Sequence, residues 1–507
     1  MKKFVALSAV AAMAIFANAS EADDIAKLKE ELSTLKEQLT AVKIHDANDN
    51  VKLSIDFRSS YDNIQYETAG TMGQVEEPKN VLLSNRLIIG MEAQPVENLT
   101  FKGSLAVNKV FGHNNYTAQN GFNNYDWFGT VTPDDNTVRL REAYFVWFGS
   151  MGDIDTTFSV GRRPSLNGSP TNLRDDDRAA SPNSHNINME FDGASYAMKL
   201  ENVVGVSGMS LKFCAGRGYS NSQGKYNFTT AVMVNEAGAT IDANQDGTAE
   251  SSPISGYPSA TQSPYAENEG DTPNMDMFGF IFVPYDDGQY SITTNYSQAW
   301  NLLGIKNATD FYSGFQDAGD METMAATFMA KGIGEFGVSD FLDDTKVFVS
   351  YASSITHPKD GVMTTMPNGM GGTVDMEMGM LGSTESKTGH SIYAGIQIPD
   401  MISDGKIGFE YNKGSKYWRS FTYGEDTMIG SKLAARGTAM EVYYKKPLIG
   451  EYLTLQVNYT TISYDYTGSD MFFGASGMPV SLDDVTMTNG DPVEKASDLR
   501  VAIRYRY

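Results

Sequence analysis

Cysteine is almost missing from these 507 residues: Cys214 is the one thiol, so no internal disulfide can form. Histidine is scarce as well. His45, His113, His185, His357 and His390 are scattered and show no metal-ligand spacing. The chain has no G-x-S-x-G, no C-x-x-C-H and no phosphate-binding loop, so hydrolase, haem and nucleotide chemistry have no motif behind them. Positive charge is in deficit. Lys and Arg total 39 against 63 Asp and Glu, a net charge of −24 that deepens once Lys2 and Lys3 leave with a leader. Nucleic acid needs basic surface, so it is excluded as a partner. After residue 20 no run of 18 apolar residues occurs, and no transmembrane helix is expected.

The two ends of the sequence carry its plainest signals. Lys2 and Lys3 precede an apolar stretch from Phe4 to Phe16, and Ala17-Asn18-Ala19 is a cleavage signature. Residues 1–19 are therefore expected to be a signal peptide. No Cys follows, so lipid anchoring is not expected. Residues 20–45 form a second unit. Ile25, Leu28, Leu32, Leu35, Leu39 and Val42 follow the spacing of an a/d heptad seam. Asp24, Glu31 and Gln38 each stand five residues before Lys29, Lys36 or Lys43, the arrangement for pairing between parallel chains. A periplasmic coiled coil between chains is the expectation; an amphipathic helix packed on its own domain is the alternative.

From residue 51 the heptad gives way to alternation. In Leu499-Arg500-Val501-Ala502-Ile503-Arg504-Tyr505-Arg506-Tyr507, one face is apolar and the other carries three arginines. Lipid suits the first face and a wet lumen the second. Sixteen such segments are expected: 51–58, 83–93, 99–109, 138–148, 154–163, 188–200, 208–217, 275–284, 289–299, 321–331, 345–354, 388–398, 405–413, 437–446, 451–464 and 497–507. Short and long joints alternate, with 332–344 the one longer member of the short set and the long joints running from about 20 residues upward. The expected fold is all-β and transmembrane: residues 50–507 form a sixteen-stranded antiparallel outer-membrane β-barrel, with an N-terminal α-helical coiled coil before it.

Bacterial outer-membrane barrels end in a strand resembling residues 499–507, which implies handling by the barrel-assembly machinery and contact with lipid and lipopolysaccharide. Arg141-Glu142-Ala143-Tyr144, Gly161-Arg162-Arg163 and Phe191-Asp192-Gly193 resemble motifs of trimeric porins, although Arg163 stands where that pattern has Gln. Glu410-Tyr411-Asn412-Lys413-Gly414-Ser415-Lys416-Tyr417-Trp418, Ser431-Lys432-Leu433-Ala434-Ala435-Arg436-Gly437 and Glu441-Val442-Tyr443-Tyr444 resemble an uncharacterised porin-like outer-membrane family. The resemblance implies a homo-oligomer, a trimer by analogy, and says nothing of cargo.

Function is then sought in the lumen. Arg86, Arg139, Arg141, Arg162, Arg500, Arg504 and Arg506 are candidate pore-lining cations. Loop 164–187 carries Arg174, Asp175, Asp176, Asp177 and Arg178, in the joint that narrows the channel of sixteen-stranded porins. Carboxylates facing arginines across a gap would set up a transverse field; the alternative is that these are solvated loop charges. A wall rich in Arg suggests a preference for small anions. Asp242, Asn244, Asp246, Thr248 and Glu250 form a candidate calcium site in a D-x-N-x-D-G run, although Pro253 stands where the bidentate Glu belongs. An acidic surface loop is the alternative there. Met363, Met366, Met370, Met376, Met378 and Met380 could hold Cu(I) or simply form a flexible loop. No other cofactor is expected, and no enzyme, since nothing points to a Ser–His pair on the barrel. The expected function is passive diffusion of small hydrophilic solutes. The rival readings are a structural or adhesive surface protein and the sheath of an electron conduit.

Overall fold

A computed structural model describes residues 51–70, 73–76, 80–111, 137–163, 165–180, 183–220, 222–224, 230–232, 251–253, 265–267, 274–307, 315–367, 372–377, 381–422, 424–469, 478–484 and 492–507. The expected signal peptide (1–19), the coiled coil (20–45), the candidate calcium run (242–250) and Met370, Met378 and Met380 lie outside them.

Sixteen strands close into one antiparallel barrel. They are β1 (Lys52–Gly70), β2 (Asn80–Val96), β3 (Leu99–Val110), β4 (Arg139–Met151), β5 (Ile154–Arg163), β6 (Phe191–Lys199), β7 (Ser210–Tyr219), β8 (Met275–Asp286), β9 (Tyr290–Ile305), β10 (Phe315–Lys331), β11 (Lys346–Pro358), β12 (Lys387–Asp400), β13 (Gly405–Gly414), β14 (Gly437–Ile449), β15 (Leu453–Tyr464) and β16 (Val493–Arg506). Each of the sixteen segments read from alternation coincides with one of them. β16 pairs with β1 in a register that sets Phe57 opposite Tyr505 and Arg58 opposite Arg504, so no edge is left open. A short segment, Gly73–Glu76, only folds back on the end of β1.

Alternation decides which side chains meet which solvent. Leu499, Val501, Ile503 and Tyr505 are exposed on the outside, while Arg500, Ala502 and Arg504 are buried within. β13 repeats the pattern, with Ile407 and Phe409 outside and Glu410 and Asn412 inside. The turns at one end are tight. Between β8 and β9 the Asp287 carboxylate accepts the backbone N–H groups of Gln289 and Tyr290 at 2.9 and 2.6 Å. Gly288 there takes φ of +92°, which a side chain would disfavour.

Two long joints are shorter than the sequence suggests. β1 and β2 extend until only 71–79 remains between them, and β9 and β10 until 306–314 remains. Beyond the apolar belt the ladder continues although the pattern changes, with Ile64, Leu302 and Leu303 buried on the inside, because backbone pairing needs no apolar outer side. Lys495 Nζ meets Glu67 at 3.2 Å in that extension. The sixth strand starts at Phe191 rather than 188, because residues 188–190 belong to a loop inside the barrel.

Two loops fill the interior. Residues 165–190 follow β5 and residues 415–436 follow β13. His185, Met189, Trp418, Phe421 and Leu433 are at most 1% exposed. The loops are joined backbone to backbone: Asn188 N–H donates to Phe421 O at 2.6 Å, Phe421 N–H to Asn186 O at 2.8 Å, and Gly424 N–H to Asn188 O at 3.0 Å. A Cβ at Gly424 would stand 2.7 Å from the backbone oxygen of Asn188, so this crossing needs glycine. Val501→Arg should test the outer face. A cation at mid-bilayer costs about 2–4 kcal/mol, so the urea midpoint for refolding into liposomes should fall accordingly, while Val501→Leu leaves it in place.

Candidate functional site

The inner loop after β5 is shaped by one short helix, α1 (Asn172–Asp175), and by Asp176, whose left-handed backbone (φ 49°) ends it. That reversal fans successive carboxylates toward different cations of the wall. Asp175 accepts from Gln456 at 3.1 Å and sits 3.4 Å from Arg174. Its carbonyl oxygen accepts from Lys445 at 2.6 Å and Arg504 at 3.2 Å. Asp176 pairs with Lys406 and Lys445 at 2.9 and 3.2 Å. Asp177 pairs with Arg504 and Arg506 at 3.0 and 3.2 Å. Arg174 reaches Glu441 of β14 at 3.4 Å, and Arg178 stays exposed. Burial raises the pKa of the Asp175 carboxyl, but Arg174 and Arg504 outweigh it and hold the group well below the usual range. At Asp176, burial is likewise outweighed by Lys445 and Lys406.

The second loop, 415–436, is absent from the sequence reading as a site. Asp426 accepts from Arg58, from Arg86 at 2.8 Å and from Arg500 at 3.1 Å. Burial raises its pKa, yet Arg58, Arg500 and Arg86 together hold it well below the carboxylate range. Lys432 is buried among Glu410, Glu441 and Glu425. Burial lowers its pKa, and Glu410 and Glu441 more than restore it. One signal was present in the sequence: Trp418, Phe421, Leu433, Ala434 and Ala435 are too apolar for a joint that stays in water.

The seven expected lumen arginines divide into groups. Arg86 and Arg500 converge on Asp426, and Arg504 and Arg506 on Asp177. Arg141 and Arg162 instead hold Glu190, at 3.4 and 3.1 Å, where the inner loop rejoins β6. Arg139 is half-buried at the start of β4. Asp176 and Asp177 of the loop reach wall cations directly, and Asp175 does so through its carbonyl oxygen. The opposed charges touch, because a guanidinium in a filled interior has no bulk water to solvate it. Arg58, Asp56, Asp62, Lys406, Lys432, Lys445 and Glu441 complete the network and were not singled out beforehand.

Free space remains at the short-turn end. A cavity of about 1080 Å³ is rimmed by Asp404, Glu451 and Tyr452, with Arg178, Lys346, Lys406, Lys445, Arg504 and Arg506 facing Asp56, Glu142, Asp176 and Asp177 in its wall. Among the described residues no cluster of three or more His, Cys, Asp or Glu could hold a metal ion.

Residues 76–248 and 255–507 match a family model described as a protein of unknown function (DUF3373). The chain belongs to that family. No curated protein matches it. Solved structures similar to this DUF3373 chain include the outer-membrane protein OmpT of Vibrio cholerae, at 10% identity, covering 90% of this chain and 99% of that one with a TM-score of 0.41. OprB of Pseudomonas putida gives 10%, 92%, 96% and 0.43 on the same measures. An anion-selective porin from Comamonas acidovorans gives 10%, 90%, 100% and 0.42.

His185 is the one titratable ring deep in the packing of the inner loop. Its two nitrogens lie 2.9 Å from Ser350 Oγ and 3.0 Å from Ser391 Oγ. All three residues are at most 1% exposed, so this contact offers no substrate a path and is structural. Burial pushes the His185 pKa down from 6.5 to about 3. The unfolded chain takes up the proton near 6.5 and the folded chain only near 3, so stability drains away as pH falls through that window. Relative to wild type, His185→Gln should gain up to about 1.4 kcal/mol per pH unit between 6.5 and 4, read from urea midpoints across pH. Parallel curves for the two proteins would refute it.

Proposed function

We propose that this protein is an outer-membrane channel for passive diffusion of small hydrophilic solutes, narrowed by two inner loops rather than one. The observation that carries this is the division of the barrel into an apolar outer face and a polar interior that opens into a cavity of about 1080 Å³. Solute gradients would drive transport, and no cofactor is called for. Paired charges favour small dipolar solutes over bare ions, because Arg58, Arg86, Arg500, Arg504, Arg506, Lys406 and Lys445 already have carboxylate partners. Anion preference is accordingly weaker than a row of arginines suggests. The heptad seam at 20–45 favours a homo-oligomer, with a trimer as the proposed state, in contact with outer-membrane lipid and lipopolysaccharide and assembled by the barrel-assembly machinery. Calcium at 242–250 would serve only to stiffen a loop.

The filled interior argues against a sheath for a threaded cytochrome, since the chain's own loops occupy that space. An adhesive surface role remains the rival reading, and conductance separates the two. The ends of β13 and β14 are already paired, Lys413 opposite Thr438, so residues 416–435 can be replaced by an Asn-Gly turn without parting the strands. Wild type should give small single-channel steps in planar bilayers, and the shortened protein steps several-fold larger. Silence from both at every voltage would refute the channel and favour adhesion.

A further inference from the structure

The turn between β10 and β11, residues 332–344, is the longest at the short-turn end, and its side chains do not suit a joint in water. Ile333, Phe336, Val338, Phe341 and Leu342 are all exposed, Phe336 by 63% and Val338 by 73%. The turn is nevertheless tied down. Ile333 N–H donates to Leu342 O at 2.9 Å, and Gly337 N–H to the Asp343 carboxylate at 2.8 Å. Tyr290 Oη accepts from Gly334 N–H at 3.2 Å, and Gln289 Nε2 donates to Gly334 O at 2.7 Å. A fixed patch of large apolar side chains marks a surface that something else covers.

Two observations identify what covers it. The patch continues the outer apolar face of the barrel. Met324 and Phe328 run along that face of β10, and Phe328 stacks on Tyr290 with ring centroids 6.3 Å apart. Gly332 follows on the same face, and a Cβ there would stand 3.0 Å from the Phe336 ring, so Phe336 lies at the foot of this column. The next turn along the rim repeats the feature, with Met401 exposed and Ile402 97% exposed. The second observation is charge. Residues 332–344 carry Glu335, Asp340, Asp343 and Asp344 and no Lys or Arg. Such a turn is repelled by an anionic surface but not by a zwitterionic one. A leaflet of zwitterionic phospholipid meets both conditions.

We propose that turn 332–344 lies in the lipid leaflet at the short-turn end, with its five apolar side chains among glycerol and acyl carbons and its four carboxylates level with zwitterionic phospholipid headgroups. This rests on the outer-membrane placement proposed above and not on conductance. The apolar side of an interfacial segment enters about 5–10 Å into the boundary between headgroups and acyl chains, shallow enough for neighbouring carboxylates to stay wet. The turn is then a foot that fixes the depth of β10 and β11 in the bilayer.

The test is spin-label accessibility in the full chain, refolded into phosphatidylcholine vesicles. In a Cys214→Ser background, a nitroxide is attached through Val338→Cys or Phe336→Cys, through Val501→Cys on the lipid-facing wall, and through Glu97→Cys in an exposed turn. Labels at 336 and 338 should meet a water-soluble nickel chelate at least about threefold less than the label at 97, and oxygen more, as at 501. Nickel accessibility at 338 equal to that at 97 overturns the proposal, while a lipid-shielded 501 shows that the membrane placement stands without it. A label at 501 that is as wet as 97 overturns that placement and the proposal together. Phosphatidylglycerol in place of half the lipid should raise nickel accessibility at 338 about twofold, and Glu335→Gln with Asp340→Asn should cancel the rise. Indifference to lipid charge overturns the position given to the carboxylates. Dipolar broadening between labels at Val338→Cys and Leu35→Cys of one chain puts residues 20–45 on the patch instead. Broadening between singly labelled chains that vanishes on dilution with unlabelled protein puts a second copy there; either result overturns the proposal.

Discussion

A cation enclosed by a barrel must find a carboxylate, and the interior of this protein is organised by that requirement. Breaking such a pair by removing one partner costs about 3–5 kcal/mol, because the remaining charge stays buried. The wall supplies Arg58, Arg86, Arg500, Arg504, Lys406 and Lys445; the two inner loops supply Asp175, Asp176, Asp177 and Asp426. Each inner loop is thus held in place by the charges it neutralises. The loop backbones meet each other between Asn186 and Gly424, so neither can leave without disturbing its neighbour.

The same network divides the lumen. A sixteen-stranded ring without inner loops encloses an aqueous lumen wide enough for many solutes. Here that space is divided, with packed loops across the middle and open volume at the short-turn end. In the channel proposed above, solutes would meet groups that are already paired. His185, between Ser350 and Ser391, adds an uncharged anchor to a loop otherwise held by ion pairs.

The strands were legible because alternation is a local property. Leu453, Leu455 and Val457 alternate with Thr454, Gln456 and Asn458, and no knowledge of the partner strand is needed to see it. Where the outward face turns polar, as at Asn63, Gln65 and Glu67, the lipid-facing signal fades although pairing continues, and the end of β1 was lost for that reason. The inner loop after β5 could be suspected from its run of charges. The loop after β13 could not be placed from its charges, since Glu425, Asp426 and Lys432 look like any solvated joint. Only its apolar residues, Trp418 and Phe421 among them, hinted that it leaves water.

By itself the sequence determined the closed, two-faced ring: period-two hydrophobicity tells each side chain whether it meets lipid or lumen, and short and long joints tell each strand where to reverse. Which arginine meets which aspartate was decided only by the tertiary structure. Arg58 and Asp426 are 368 positions apart, and their contact depends on the closure of β16 onto β1 and on the fold of a loop that neither neighbourhood encodes alone. Ion pairing in an interior is a property of the assembled surfaces, because it is the exclusion of water by everything around them that forces the two charges together.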